Sequence, residues 1–177
     1  MQDWREQAKK NGIQIIGKGK CQLCGANTLS GIVECVEKLG LVSHRLNHSD
    51  GVANMTIFKC VDSHMLQHPE IHGRWNNHYH LSRLNLILHQ NIRWDYHYST
   101  ILSNVLDEYK SRNFNKKIKS PEIGNRGILT ISDIEEIESE NEYKELVNEW
   151  TKCVYESYID GHKIAEEISK KFINKIN

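Results

Sequence analysis

The chain has 177 residues, 38% of them hydrophobic and 26% charged, and Lys plus Arg balance Asp plus Glu at 23 each. That length suits one domain with one substantial core, and that composition excludes a disordered or fibrous chain. Zero net charge gives the surface no general pull on a phosphate backbone, so nucleic acid is not an expected partner.

The first residues, "MQDWREQAKKNG", contain neither an apolar core nor a small-residue cleavage site and do not read as a signal peptide. No apolar run approaches the roughly 18 residues of a membrane helix. "IQII" reads as a short strand. "GKGKC" holds two glycines and two lysines but lacks the spacing of a phosphate-cradling loop.

"KCQLCGA" carries the most specific local signal. Two residues between Cys21 and Cys24 let both thiolates reach one ion, while Gly25 supplies the backbone angles of the tight turn. A redox pair is the competing reading, but it needs a βαβ setting that the surrounding pattern lacks. The expected cofactor is zinc. Five cysteines, unevenly spaced, do not suggest a disulfide framework. A reducing, cytoplasmic setting suits them. No second Cys-x-x-Cys follows. Cys35, Cys60 and Cys153 stand alone; Cys35 and Cys153 fall on or beside apolar helix faces, and all three read as small core residues.

Residues 29–40 space Leu29, Ile32, Val33, Val36 and Leu39 as a helix, with Ser30 as its cap and Gly40 as its stop. Residues 47–55 read as a loop, "MTIF" as a possible strand, and the segment after it as helical from Val61. That helix must end near His68, because Pro69 disfavours helical geometry at the preceding residue. Residues 73–91 form the best-patterned stripe, with Trp75, Leu81, Leu84, Ile87 and Leu88 on one face and His78 alongside. Residues 98–113 form another amphipathic helix, and 113–128 a mobile basic loop. Ser132 and Glu135 have capping-box spacing. From Asn141 to the end the chain reads as helical, bent around Asp160 and Gly161. The class is mainly α: a single helical bundle over residues 1–177, with an N-terminal zinc knuckle and little strand.

Completing a two-thiolate site requires histidine or carboxylate, and the chain has ten histidines, five of them between Val61 and His80. His64 and His68 are one helical turn apart. His44 and His48 read as solvent-facing. His72, His78, His80, His89 and His97 lie among tryptophans and tyrosines, and each one alone reads as core or surface.

"CQLCGA", "VDSHMLQHPE", "GILTISDI" and "EWTKCVYESYIDGH" together resemble a family of small bacterial proteins of unknown function. Its pattern is a Cys-x-x-Cys-Gly-Ala knuckle, a Val-Asp-Ala-Tyr-x-x-Gln-His-Pro segment, a late Leu-Thr-Val-x-Asp-Val stretch, a tryptophan-bearing helix and a histidine. The resemblance runs from Cys21 to the C-terminus. It implies Cys21, Cys24, His68 and His162 as metal ligands, with Asp62 and Gln67 supporting them by orienting an imidazole. His64 stands where the family has an aromatic residue, and Ile57 where many members have a histidine.

Three functions follow as alternatives. A closed site of two cysteines and two histidines makes a structural zinc module whose expected partner is another protein. Three ligands plus water make a zinc hydrolase, with Asp62, Glu70 or His64 as general base. "RLNLILHQN" has the look of the helix in HNH nucleases, but the strand pair that fold requires has no counterpart in the sequence.

Overall fold

The computed structural model describes residues 4–43, 45, 51–73 and 75–177. Among the described residues, eight α-helices follow in order: α1 (Trp4–Lys10), α2 (Ile32–Ser43), α3 (Gly51–Gln67), α4 (Asn76–His89), α5 (Tyr96–Arg112), α6 (Ile131–Glu135), α7 (Glu140–Ser157) and α8 (His162–Ile176). Single 3-10 turns, Pro69–Ile71 and Ile159–Gly161, join α3 towards α4 and α7 to α8. No strand occurs among the described residues; the expected "IQII" strand is extended chain, and one isolated parallel bridge pairs Gly19 with Ser30.

The mainly α class follows from the patterning, but several boundaries move. The helix expected from Leu29 begins at Ile32 and runs through Gly40 to Ser43. Its start is set by Glu34, whose carboxylate accepts from the backbone N–H groups of Leu29 (2.7 Å) and Ser30 (2.9 Å), so a side chain from the first turn caps it and Ser30 does not. Gly31 has φ +61°, and a Cβ there would lie 2.1 Å from the Ile16 carbonyl oxygen. Only glycine lets the Ile16–Lys18 strand of chain cross at that point.

α3 is longer than expected. It begins at Gly51, so the second half of the anticipated loop and the "MTIF" segment are helical. The helix is central and packs against α2, α4 and α7. It buries apolar Phe58, Cys60 and Leu66 together with polar Asp62, Ser63, His64 and Gln67. A helix buried on several faces does not show a single apolar stripe, which is why periodicity understates it. Its end agrees with the proline argument: the helix stops at Gln67 and Pro69 opens the 3-10 turn.

α4 lies between α3 and α8 and is likewise buried around most of its circumference. α5 starts at Tyr96 because Asp95 caps it, accepting from the His97 N–H at 3.1 Å. The capping box at α6 is formed by Thr130 and Asp133, two residues ahead of the expected pair; Ser132 instead donates to the Asn27 carbonyl at 2.8 Å, tying α6 to the knuckle. One set of buried side chains gathers Leu23, Leu66, Tyr143 and Trp150; a second gathers Leu86, Leu102, Trp94 and Phe172, the last two stacked at 5.4 Å.

The basic segment after α5 is tied down at two points. The Ile118 N–H donates to His78 Nε2 at 3.2 Å, and Arg126 pairs with the Glu70 carboxylate and donates to the Gln67 carbonyl at 3.0 Å. Gln67 answers by donating to the carbonyls of Arg126 (3.0 Å) and Leu129 (2.8 Å) and accepting from Trp150 Nε1 (3.1 Å).

α3 and α4 are locked by a charged group with no access to solvent. Asp62, fully buried, accepts from His80 Nδ1 at 2.5 Å and from Arg83 Nε at 2.8 Å, and a second Arg83 nitrogen reaches the same carboxylate. Removing one member of such a group strands the other charge without water. Asp62→Ala should therefore cost about 3–5 kcal/mol, read as a drop in the urea unfolding midpoint at constant slope.

Candidate metal centre

The knuckle forms because Cys21 and Ala26 close a tight loop. Cys21 N–H donates to the Ala26 carbonyl at 3.0 Å, and Gly25 N–H returns to the Cys21 carbonyl at 2.9 Å. Gly25 takes φ +80°, a conformation that side chains with a Cβ rarely adopt. Both sulfurs are thereby turned towards the α2–α3 pair. α2 supplies Cys35, one turn into the helix and wholly buried, and the end of α3 supplies His68, also wholly buried.

The four donor atoms, Sγ of Cys21, Cys24 and Cys35 and a ring nitrogen of His68, all lie within 4.8 Å of one another. His68 Nε2 is 3.4 Å from both Cys21 and Cys35 Sγ, and Cys24 Sγ is 3.7 Å from Cys35 Sγ. Zinc–sulfur bonds of about 2.3 Å and zinc–nitrogen bonds of about 2.0–2.1 Å, set tetrahedrally, require edges of about 3.8 Å between sulfurs and about 3.6 Å between sulfur and nitrogen. The three edges just given match those within a few tenths of an ångström, and the others lie within 4.8 Å. The set could hold a metal ion.

The imidazole is already oriented for the task. His68 Nδ1 donates to the His64 carbonyl at 2.6 Å, which orients the ring with Nε2 facing the sulfurs. The charge pattern is that of a cation-seeking group. Hydrogen bonds from Cys24 and Cys35 hold the Cys21 thiol far below its ordinary range, while hydrogen bonds to Cys21 and Cys24, together with burial, push Cys35 far above it. Burial opposes a charge on His68, but the negative charge at Cys24 and the hydrogen bonds to Cys21 and Cys24 outweigh it and raise its pKa to about 10. Three thiolates this close cannot all be ionised unless a cation sits among them.

Three of the four residues expected as ligands therefore converge, and the fourth member of the group is Cys35, not His162. His162 sits elsewhere: its Nε2 donates to the Tyr155 carbonyl at 2.9 Å and its ring stacks on Tyr155 at 4.2 Å. The reason is geometric, since His162 opens α8, which packs on α4 and α5, while the knuckle faces α2 and α3. Cys35 was legible as a thiol on an apolar helix face, where a ligand and a core residue look alike. Cys60, the isolated thiol in α3, is held protonated by burial, its pKa pushed up to about 12, and lies 3.5 Å from the Tyr143 hydroxyl.

The residues expected to orient a ligand imidazole do not contact His68, whose Nδ1 is held by the His64 carbonyl. Neither Asp62 nor Gln67 touches a donor atom; Asp62 holds His80 and Arg83, and Gln67 holds Trp150 and the 126–129 backbone. His64 lies against the cluster, stacked on His68 at 3.9 Å with Nε2 3.6 Å from Cys35 Sγ. Glu70 is engaged by Arg126. His44 and His48 lie outside the described residues. His97 bonds to Asp95, and His89 packs beside Tyr155.

A family model described as a family of unknown function (DUF5946) matches residues 19–159. The match contains all four donors and ends short of His162. No curated protein and no solved structure matches the chain.

His72 lies near this region with its Nε2 buried and unpartnered, and its pKa is pushed down to about 3 by burial and by the charges of His80 and His68. In the unfolded chain an imidazole titrates near its ordinary 6.5. Between those values the unfolded chain binds more protons, so this contribution to stability is complete above pH 6.5 and is lost as pH falls towards 3. His72→Leu should show a smaller loss of urea midpoint than the parent chain between neutral pH and about pH 5.

Proposed function

Because the chain belongs to that family of unknown function, we propose its role from the site itself: Cys21, Cys24, Cys35 and His68 hold one zinc ion as a closed, structural centre, and the helical module so stabilised acts by binding another protein. The observation that carries the zinc reading is the mutual approach of three sulfurs and one pre-oriented imidazole to within 4.8 Å, with three of the separations close to the edge lengths of a zinc tetrahedron. Sulfur-rich donor sets select zinc or other thiophilic ions over magnesium and calcium. The donors are buried apart from the partly exposed Cys24, as suits a centre that stabilises a fold. Free thiols in this number fit a reducing, cytoplasmic compartment. No helix among the described residues is long and apolar enough to cross a membrane.

Four protein donors fill a tetrahedron and leave no position for an activated water, which weighs against the hydrolase alternative. Two of its three candidate bases are also committed elsewhere, Asp62 to Arg83 and His80, and Glu70 to Arg126, while the third, His64, is stacked on His68 beside the filled donor set. The nuclease alternative needs a strand pair ahead of its helix, and residues 61–89 are occupied by the end of α3, a 3-10 turn and α4. Support for a protein partner is surface chemistry beside the knuckle: Leu29 is 86% exposed and Ile16 45%, both on the chain that Gly31 brings together.

Metal analysis of the purified chain tests the centre. About one equivalent of zinc is expected. Cys35→Ser should lower zinc content and the thermal midpoint together, whereas His162→Ala should leave zinc content unchanged. Retention of full zinc by Cys35→Ser with loss in His162→Ala would reverse the assignment. Cobalt substitution supplies a second reading, because sulfur-to-cobalt charge-transfer bands should weaken in Cys35→Ser.

A further inference from the structure

A cleft of about 540 Å³ opens between α7 and α8 with α4 as its floor, away from the sulfur cluster. Its size falls within the range of small-molecule sites. Three observations set its chemistry. Asn85 on α4 lines it and is only 2% exposed; its amide nitrogen donates to the Tyr155 hydroxyl at 2.8 Å, while its carbonyl oxygen is buried with no hydrogen-bond partner. An orphaned buried acceptor costs about 1–3 kcal/mol and asks for a donor. His162, also in the lining, gives its Nε2 proton to the Tyr155 carbonyl, so its Nδ1 is left as a second acceptor.

The rim carries both signs of charge. α7 contributes Lys152 and Glu156, and α8 contributes Glu166 and Lys170, each pair four residues apart. Among the described residues none of these four comes within 4.0 Å of an opposite charge, although other helical pairs such as Lys144 and Glu140 do. The charges at this mouth are not consumed by one another. A ligand of one sign would meet as much repulsion as attraction, whereas a molecule carrying both would meet complementary groups at each end.

We propose that this cleft binds a small zwitterion of the amino-acid class, its ammonium donating to Asn85 Oδ1 and His162 Nδ1 and its carboxylate lying against Lys152 and Lys170. This places His162, a histidine left over from the metal centre, in a binding role. Leu88 and Ile173 form the apolar wall beside which a side chain would lie. Nothing in this assignment depends on the identity of the metal.

The test uses the full chain as purified. Pools of the twenty common L-amino acids at millimolar concentration are screened by saturation-transfer NMR, with butyrate and n-butylamine as probes of single charge, and any binder is titrated by calorimetry. At least one amino acid should bind and neither single-charge probe should. Asn85→Leu should weaken binding about tenfold or more. The double variant Lys152→Ala, Lys170→Ala alters only exposed side chains and should weaken binding with no change in thermal midpoint; should Asn85→Leu fail to fold, this variant decides. The proposal is overturned if no amino acid binds, if butyrate or n-butylamine binds as well as the amino acids do, or if binding is unchanged in the variants that fold.

Discussion

Three thiols and one imidazole, drawn from a loop, a helix start and a helix end, meet within 4.8 Å. That convergence is the constraint around which the N-terminal half is built. Cys21 and His68 are 47 residues apart and Cys24 and Cys35 are 11 apart, so the cluster closes both a long and a short loop of chain. Packed sulfurs alone would gain little from this arrangement, since desolvation and mutual repulsion oppose any second thiolate. A cation reverses the sign of those terms, and because no such site exists in an unfolded chain, binding it contributes directly to folding.

The segment from Asp62 to Pro69 serves several neighbours at once, and α3 is central for that reason. One face presents Asp62 to α4, where it holds His80 and Arg83. Another turns His64 and His68 to the sulfurs, and the last residue, Gln67, bridges Trp150 of α7 and the backbone at 126–129. Every polar group here is buried and, apart from His64 Nδ1, paired with a named partner. Such a segment specifies which neighbour lies on which side, where an apolar helix would only be attracted to all of them. The Gln-His-Pro sequence is thus a corner: the glutamine pins, the histidine faces the sulfurs, and the proline ends the helix.

The second half of the molecule follows a different logic. α4, α5 and α8 pack through aromatic and aliphatic contacts, with Trp94 stacked on Phe172 and Tyr98 edge-on to the same ring. Where α7 and α8 leave α4 partly uncovered, polar side chains such as Asn85 and His162 join apolar Leu88 and Ile173 in lining the gap. In the proposed reading, the sulfur cluster stabilises the fold, and the cleft lined from α4, α7 and α8 recognises a ligand away from it.

Much of the local structure was written in local chemistry. Helical spacing identified α4, α5, α7 and α8, the proline at 69 fixed the end of α3, and the Cys-x-x-Cys-Gly turn announced two thiol donors, because each depends on residues within a turn or two of one another. Partner choice over long range was not written there. Cys35 and Cys153 both sit on helices beside apolar residues, and only the docking of α2 against the knuckle makes one of them a neighbour of two other sulfurs. His68 and His162 both follow helical segments, yet one ring faces α2 and the other faces Tyr155. Sequence determines which side chains can donate to a metal; the packing of α2, α3 and the knuckle decides which of them arrive, since donor geometry is a property of three-dimensional distance and not of spacing along the chain.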